Sequence, residues 1–122
     1  MSIKKKIKRV RKTTLKNKAY ALFSQAIRKK GYCELKGLDN ITCASSLQTM
    51  HIIGRGNLSL RYDKKNALCG CQGHHVWYTN HALEFYELIR TKFPERYKYL
   101  MKAKNKLSHN LDYEKLIEEL SV

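Results

Sequence analysis

Cys71-Gln72-Gly73-His74 sets two metal-binding side chains three residues apart, and Cys33 and Cys43 supply two more upstream. If this segment opens a helix, the spacing turns both side chains to the same side of its first turn. Zinc takes four thiolate or imidazole ligands at tetrahedral angles, usually as two close pairs. A chain that must bring Cys33, Cys43, Cys71 and His74 to one point has few ways to fold in between. The nine residues between Cys33 and Cys43 exceed the roughly two to four common in such sites, so a loop must fold back. Closing a loop of that size costs little. Two alternatives stand beside this set. Cys69 can join a four-cysteine site, although residues two apart on extended chain point to opposite faces. The cysteines can also be plain buried apolar groups without metal.

At 122 residues the chain is the size of one domain, and its 43% hydrophobic content is ordinary. The charge is not ordinary, with 25 Lys and Arg against 10 Asp and Glu, a net +15. Residues 1–30 hold twelve of the basic residues and no acid, while Asp112, Glu114, Glu118 and Glu119 gather at the other end. One-sided positive charge is the footprint of a polyanion binder. Nucleic acid is the favoured partner, ahead of an anionic membrane surface or an acidic protein. No stretch approaches the roughly 18 apolar residues of a membrane span. The basic N-terminus lacks the apolar core of a secretory signal, so an intracellular, cytoplasmic protein is expected. Cysteines in that setting are more often metal ligands than disulfides.

Residues 1–12 (Lys4, Lys5, Lys6, Lys8, Arg9, Arg11, Lys12) show no apolar period and read as a flexible basic arm, with 13–122 as a single domain. Leu15, Ala19, Leu22, Phe23, Ala26 and Ile27 recur at helical spacing, with Thr13 or Thr14 as cap and Gly31 beyond the end. Leu47–Ile53 predicts a strand, residues 54–57 a turn, and Leu58–Tyr62 a second strand by alternation. A helix is expected from near Cys71 to Tyr78. Asn80 then caps a continuation with Leu83, Tyr86, Leu88 and Ile89 on one face. Pro94 starts a further helix and Asp112 a last amphipathic one. Trp77, Tyr78, Phe85 and Tyr86 read as core, and His81 and His109 as surface or capping residues.

Three polar groups remain unexplained: His51, Asn66 and His75, separated by fourteen and eight residues. Here the chain resembles the HNH, or His-Me finger, endonucleases, especially small phage-type members with a zinc-bound core. His51-Ile52 with Arg55 fits the family's first block, Asn66 the middle, and Cys71-x-x-His74-His75 the last. Leu60-Arg61-Tyr62-Asp63 and the segment Lys92–Tyr97 are also similar to phage members, so the likeness spans about residues 33–100.

The resemblance implies an α+β fold: a treble-clef zinc core carrying a ββα-metal motif, flanked by an N-terminal helix and C-terminal helices. It implies a DNA endonuclease in which His51 is the general base, Asn66 pins the intervening loop and Arg55 clamps a phosphate oxygen. His75, helped by Asn66, holds Mg²⁺ or Mn²⁺, while Cys33, Cys43, Cys71 and His74 hold one structural zinc. His74 and His75 can exchange these roles. Lys4, Lys5, Lys6, Lys8, Arg9, Arg11, Lys12 and Arg61 contact the DNA, which is expected to be double-stranded. No small-molecule substrate is expected. One departure matters: many members carry Asp, Glu or His directly before the base, and this chain carries Met50. Either Asn66 or Gln48 then supplies an oxygen, or DNA and water complete the shell. The rival is a zinc-stabilised DNA-binding module that cuts nothing and recruits proteins through its acidic C-terminal helix. An RNA-directed nuclease is a third reading.

Overall fold

A computed structural model describes residues 2–106 and 111–121, without the side chains of 6–10; His109 lies outside the described residues. Helix α1 runs Ile3–Arg28, strand β1 Leu47–His51 and the single-turn helix α2 Leu58–Arg61. A 3₁₀ turn at Lys64–Asn66 leads into strand β2, Ala67–Cys71. Helices α3 (Gln72–Thr79), α4 (Ala82–Lys92), α5 (Pro94–Ala103) and α6 (Tyr113–Leu120) follow. The architecture is mixed α/β around one two-stranded antiparallel sheet. Its register pairs Leu47 with Cys71 and His51 with Ala67. No helix among the described residues is long and apolar enough to cross a membrane.

The sheet is covered on both sides. Thr49 on one face bonds Ser24 of α1 at 2.8 Å, and His51 on the same face stacks on Phe23. Gln48 and Met50 face the other way, Gln48 toward His75 of α3 and Met50 into the core. That core joins Leu35, Ile52, Leu60, Leu68, Phe85, Ile89 and Leu100. On the α1 side, Ala19, Phe23, Ile27, Tyr62, Ala67 and Cys69 pack with Tyr113 of α6. Helix α6 thereby holds α1 down: Leu116 and Ile117 lie on the same cluster, and Asp112 caps its start by accepting from the Lys115 N–H at 3.1 Å.

Four expectations need correction. Residues 3–12 are not a flexible arm but the first turns of α1, with Ser2 as cap and Thr13 and Thr14 inside the helix. The segment has no Gly or Pro, and a helix anchored at Ala19, Phe23 and Ile27 propagates through such residues at little cost. The expected strand at Leu58–Tyr62 is a helical turn, and the strand that pairs with β1 is Ala67–Cys71. All five residues of β2 are buried, so it has no polar alternation to betray it. Asn80 ends α3, and His81, not Asn80, precedes α4. Tyr78 and Phe85 are core as expected, but Trp77, Leu83 and Tyr86 are exposed, because α4 buries Phe85, Leu88 and Ile89 instead. Pro94 does start α5.

Candidate functional site

Two polar centres sit on this sheet. At its Cys71 end, Cys33, Cys43, Cys71 and His74 bring one ligand atom each within 4.8 Å of one another. His74 Nδ1 lies 3.7 Å from the Sγ of Cys33, 3.7 Å from that of Cys43 and 3.1 Å from that of Cys71. Ligands around a tetrahedral zinc stand roughly 3.5–3.8 Å apart, from bond lengths near 2.0 and 2.3 Å. The four residues can therefore hold a metal ion such as zinc. Cys69 is fully buried in the α1-side core and stands outside this cluster, as strand alternation requires.

Local structure builds the cluster. Cys71 caps α3, its sulfur accepting the His74 N–H at 3.4 Å, so the cap itself fixes the pair. The Ala44 N–H donates to the same sulfur at 3.4 Å, and the Cys71 N–H donates to Cys33 Sγ at 3.3 Å. A Cβ on Gly73 would stand 3.2 Å from Ala44 Cβ and 3.3 Å from Thr42 O, so glycine lets the Cys43 loop reach the helix start. Burial pushes the Cys71 thiol up, but these N–H groups and His74 outweigh it and bring it down to about 6. Burial and the neighbouring sulfurs push Cys43 up, because a second negative charge beside the first is costly without a cation.

An outer shell completes it. Asp39 Oδ1 accepts from His74 Nε2 at 3.0 Å, which leaves Nδ1 bare toward the sulfurs. Tyr78 Oη donates to the other Asp39 oxygen at 2.5 Å. Burial raises the Asp39 carboxyl, yet the bonds from Tyr78 and His74 win and hold it below its usual range. Sequence reasoning missed Asp39 and Tyr78. A carboxylate inside the Cys33–Cys43 loop was the one signal that could have found them.

The second centre is the α1-facing end of β1. His51 Nε2 donates to the Arg61 carbonyl at 2.9 Å, so the lone pair rests on Nδ1. Burial lowers the affinity of His51 for a proton; the Arg61 carbonyl opposes this, and Arg55, Arg61 and His75 lower it further. The two histidines thus lie within electrostatic reach of each other, although they approach from different faces of the strand. Arg55 lies over the Tyr20 ring, 4.3 Å from its centroid.

Asn66 is completely buried. Its Oδ1 accepts the Ile53 N–H at 2.7 Å, and its Nδ2 donates to Ile53 O at 3.0 Å and Leu60 O at 3.2 Å. It therefore pins both ends of the loop between β1 and α2. With its oxygen engaged and closed off from solvent, Asn66 does not serve as a metal ligand. Met50 is buried with its sulfur against Gly70, where a Cβ would meet it at 2.1 Å. Gln48 Oε1 instead accepts from His75 Nδ1 at 2.6 Å, which frees Nε2. Gln48, Gln72, His75, Val76, Thr79 and Asn80 line an open pocket there.

Of the expected DNA contacts, Lys4, Lys5, Arg11 and Lys12 are exposed on α1 and Arg61 is half-buried near His51; the side chains of Lys6, Lys8 and Arg9 lie outside the described residues. No protein-family model, no curated protein and no solved structure matches the chain.

Proposed function

We propose that this protein is a metal-dependent DNA endonuclease of the HNH kind, with the Cys₃His cluster holding a structural zinc in a treble-clef core. The observation that carries this reading is the state of His51. Its Nε2–H is committed to the Arg61 carbonyl, its Nδ1 has no hydrogen-bond partner among the described residues, and the loop that provides that carbonyl is pinned by Asn66. Burial and nearby cations keep the imidazole neutral near pH 7, the state a general base needs. Nδ1 takes a proton from water as the water oxygen attacks phosphorus in line. The P–O3′ bond breaks, the departing O3′ takes a proton from solvent, and 5′-phosphate and 3′-hydroxyl ends remain. Arg55 and Arg61 face the phosphate's charge, and the exposed cations of α1 add affinity that does not depend on sequence. His75 Nε2 would hold a divalent ion such as Mg²⁺ or Mn²⁺, whose charge would stabilise the crowded phosphate.

The second reading, a zinc-stabilised DNA-binding module that cuts nothing, draws on one observation. Among the described residues the Cys₃His cluster is the one group of three or more His, Cys, Asp or Glu suited to a metal. With Met50 buried, the described residues that line the pocket beside His75 are Gln48, Gln72, Val76, Thr79 and Asn80, and none of these is a carboxylate.

Supercoiled plasmid with and without Mg²⁺ or Mn²⁺ separates the two. The wild-type protein should nick it, and His51→Ala should cut the rate by about 10²–10⁴-fold with DNA affinity and zinc content unchanged. Tyr20 stacks along His51, Arg55 and Arg61 lie beside it, and His75 acts on it electrostatically from across the strand; burial and these charges set its proton affinity below the ordinary 6.5. Neutral imidazole is the active form, so cleavage should be level at neutral pH and fall as pH drops through a value below 6.5. Tight binding without nicking in any divalent ion decides for the binding module.

A further inference from the structure

The wall over His51 comes from α1, which has no part in the His51–Asn66–His75 pattern. Tyr20 stacks along the His51 ring, with centroids 6.4 Å apart and 16° between planes. The same Tyr20 ring stands 4.3 Å from Arg55 Cζ and 5.8 Å from Arg61 Cζ. Among the described residues neither guanidinium has a carboxylate partner. Arg61 Nε is also buried with no hydrogen-bond partner. A buried N–H donor left unpaired is costly, and an anionic oxygen is the acceptor that suits a guanidinium. The face of an aromatic ring attracts guanidinium and limits its freedom without using up its N–H donors. Tyr20 thus stands beside the base and within cation–π range of both guanidinium groups, closely at Arg55, while it shares Arg61 with the Tyr62 ring, 5.7 Å from Arg61 Cζ.

We propose that Tyr20 is a positioning residue of the phosphate site, its ring holding Arg55 and Arg61 so that their N–H groups meet the nucleic-acid backbone beside His51. This rests on the endonuclease reading and enlarges it: α1 becomes one wall of the site as well as a source of positive charge. Helix α6 supports that wall, since Tyr113, Leu116 and Ile117 pack into the cluster that anchors α1.

The test uses the zinc-loaded full chain with two substitutions. Tyr20→Leu keeps apolar bulk but removes the π face, and Tyr20→Phe keeps the face. A short DNA duplex is titrated in without added Mg²⁺ or Mn²⁺ while the ¹⁵N-labelled Arg Nε–H signals are followed. In the wild type the Arg55 and Arg61 signals should move on binding. Tyr20→Leu should lose those movements and bind the duplex about three- to thirtyfold more weakly, with melting temperature and zinc content retained. Tyr20→Phe should restore both. If Tyr20→Leu binds and shifts the two arginine signals as the wild type does, the proposal is overturned. A wild type that fails to cleave plasmid in Mg²⁺ or Mn²⁺ removes the endonuclease reading, while the arginine signals still judge Tyr20.

Discussion

The Cys33–Cys43–Cys71–His74 cluster draws four ligands from its own chain, whereas the His51 region offers one free imidazole nitrogen, two arginines and, across the strand, His75. The two centres use the same sheet for opposite ends. At the cluster, backbone N–H groups from Ala44, Cys71 and His74 point at sulfur and favour negative charge. At His51, burial and cations favour a neutral ring. Closed sites suit structure and open ones suit chemistry; under the proposed endonuclease reading, a divalent ion on His75 would keep open positions for a substrate phosphate and water.

The strongest attempt to break the contrast removes a ligand. Cys71→Ser should abolish zinc binding and unfold the domain, since a structural zinc contributes roughly 10–16 kcal/mol of apparent binding energy to folding; elemental analysis and circular dichroism read both. Cys69→Ser should keep its zinc and lose about 1–3 kcal/mol, because a hydroxyl is buried without a clear acceptor. Zinc loss in the Cys69 variant would redraw the ligand set.

Next in size is Asn66→Ala. It strips the Ile53 N–H and the Ile53 carbonyl of the partners they have among the described residues, and takes one donor from the Leu60 carbonyl, which keeps the Asp63 N–H. Urea unfolding should register a loss of roughly 2–5 kcal/mol, and zinc content should hold. If stability stays at the wild-type level, Asn66 does not pin the loop.

Asp39→Asn probes the outer shell of the closed centre. Losing the carboxylate behind His74 should weaken zinc about 10–100-fold in a chelator competition, with plasmid nicking in excess zinc near wild type. Equal effects on both centres would mean they are not independent.

The smallest expected effect concerns the start of α1. Removing residues 1–12 should weaken DNA binding and flatten its salt dependence, by roughly 0.9 in log–log slope for each phosphate these cations neutralise. An unchanged slope would make them mere solvated charge. Residues 3–12 are helical but lie before the part of α1 that packs on the core, so their removal should leave the Arg55 and Arg61 signals in place.

Much of this was legible along the chain because local chemistry states it. Ligand spacing marked Cys33, Cys43, Cys71 and His74, and the helix starts at Pro94 and Asp112 declare themselves through caps and fixed φ. The family likeness pointed to Asn66 as the side chain that holds the loop. What sequence could not convey was which apolar stretch would pair. Leu58–Tyr62 alternates like a strand, yet Ala67–Cys71 lies against β1, because pairing rewards burial on both faces and that depends on α1 and α3 arriving from elsewhere. The roles of Asp39, Tyr20 and Gln48 were hidden for the same reason. Each acts on a residue at least 27 positions away, across contacts made only when helices close over the sheet. Residue type and spacing are local properties and can be read in order; the direction a side chain faces, and the charge it meets there, belong to the packed whole.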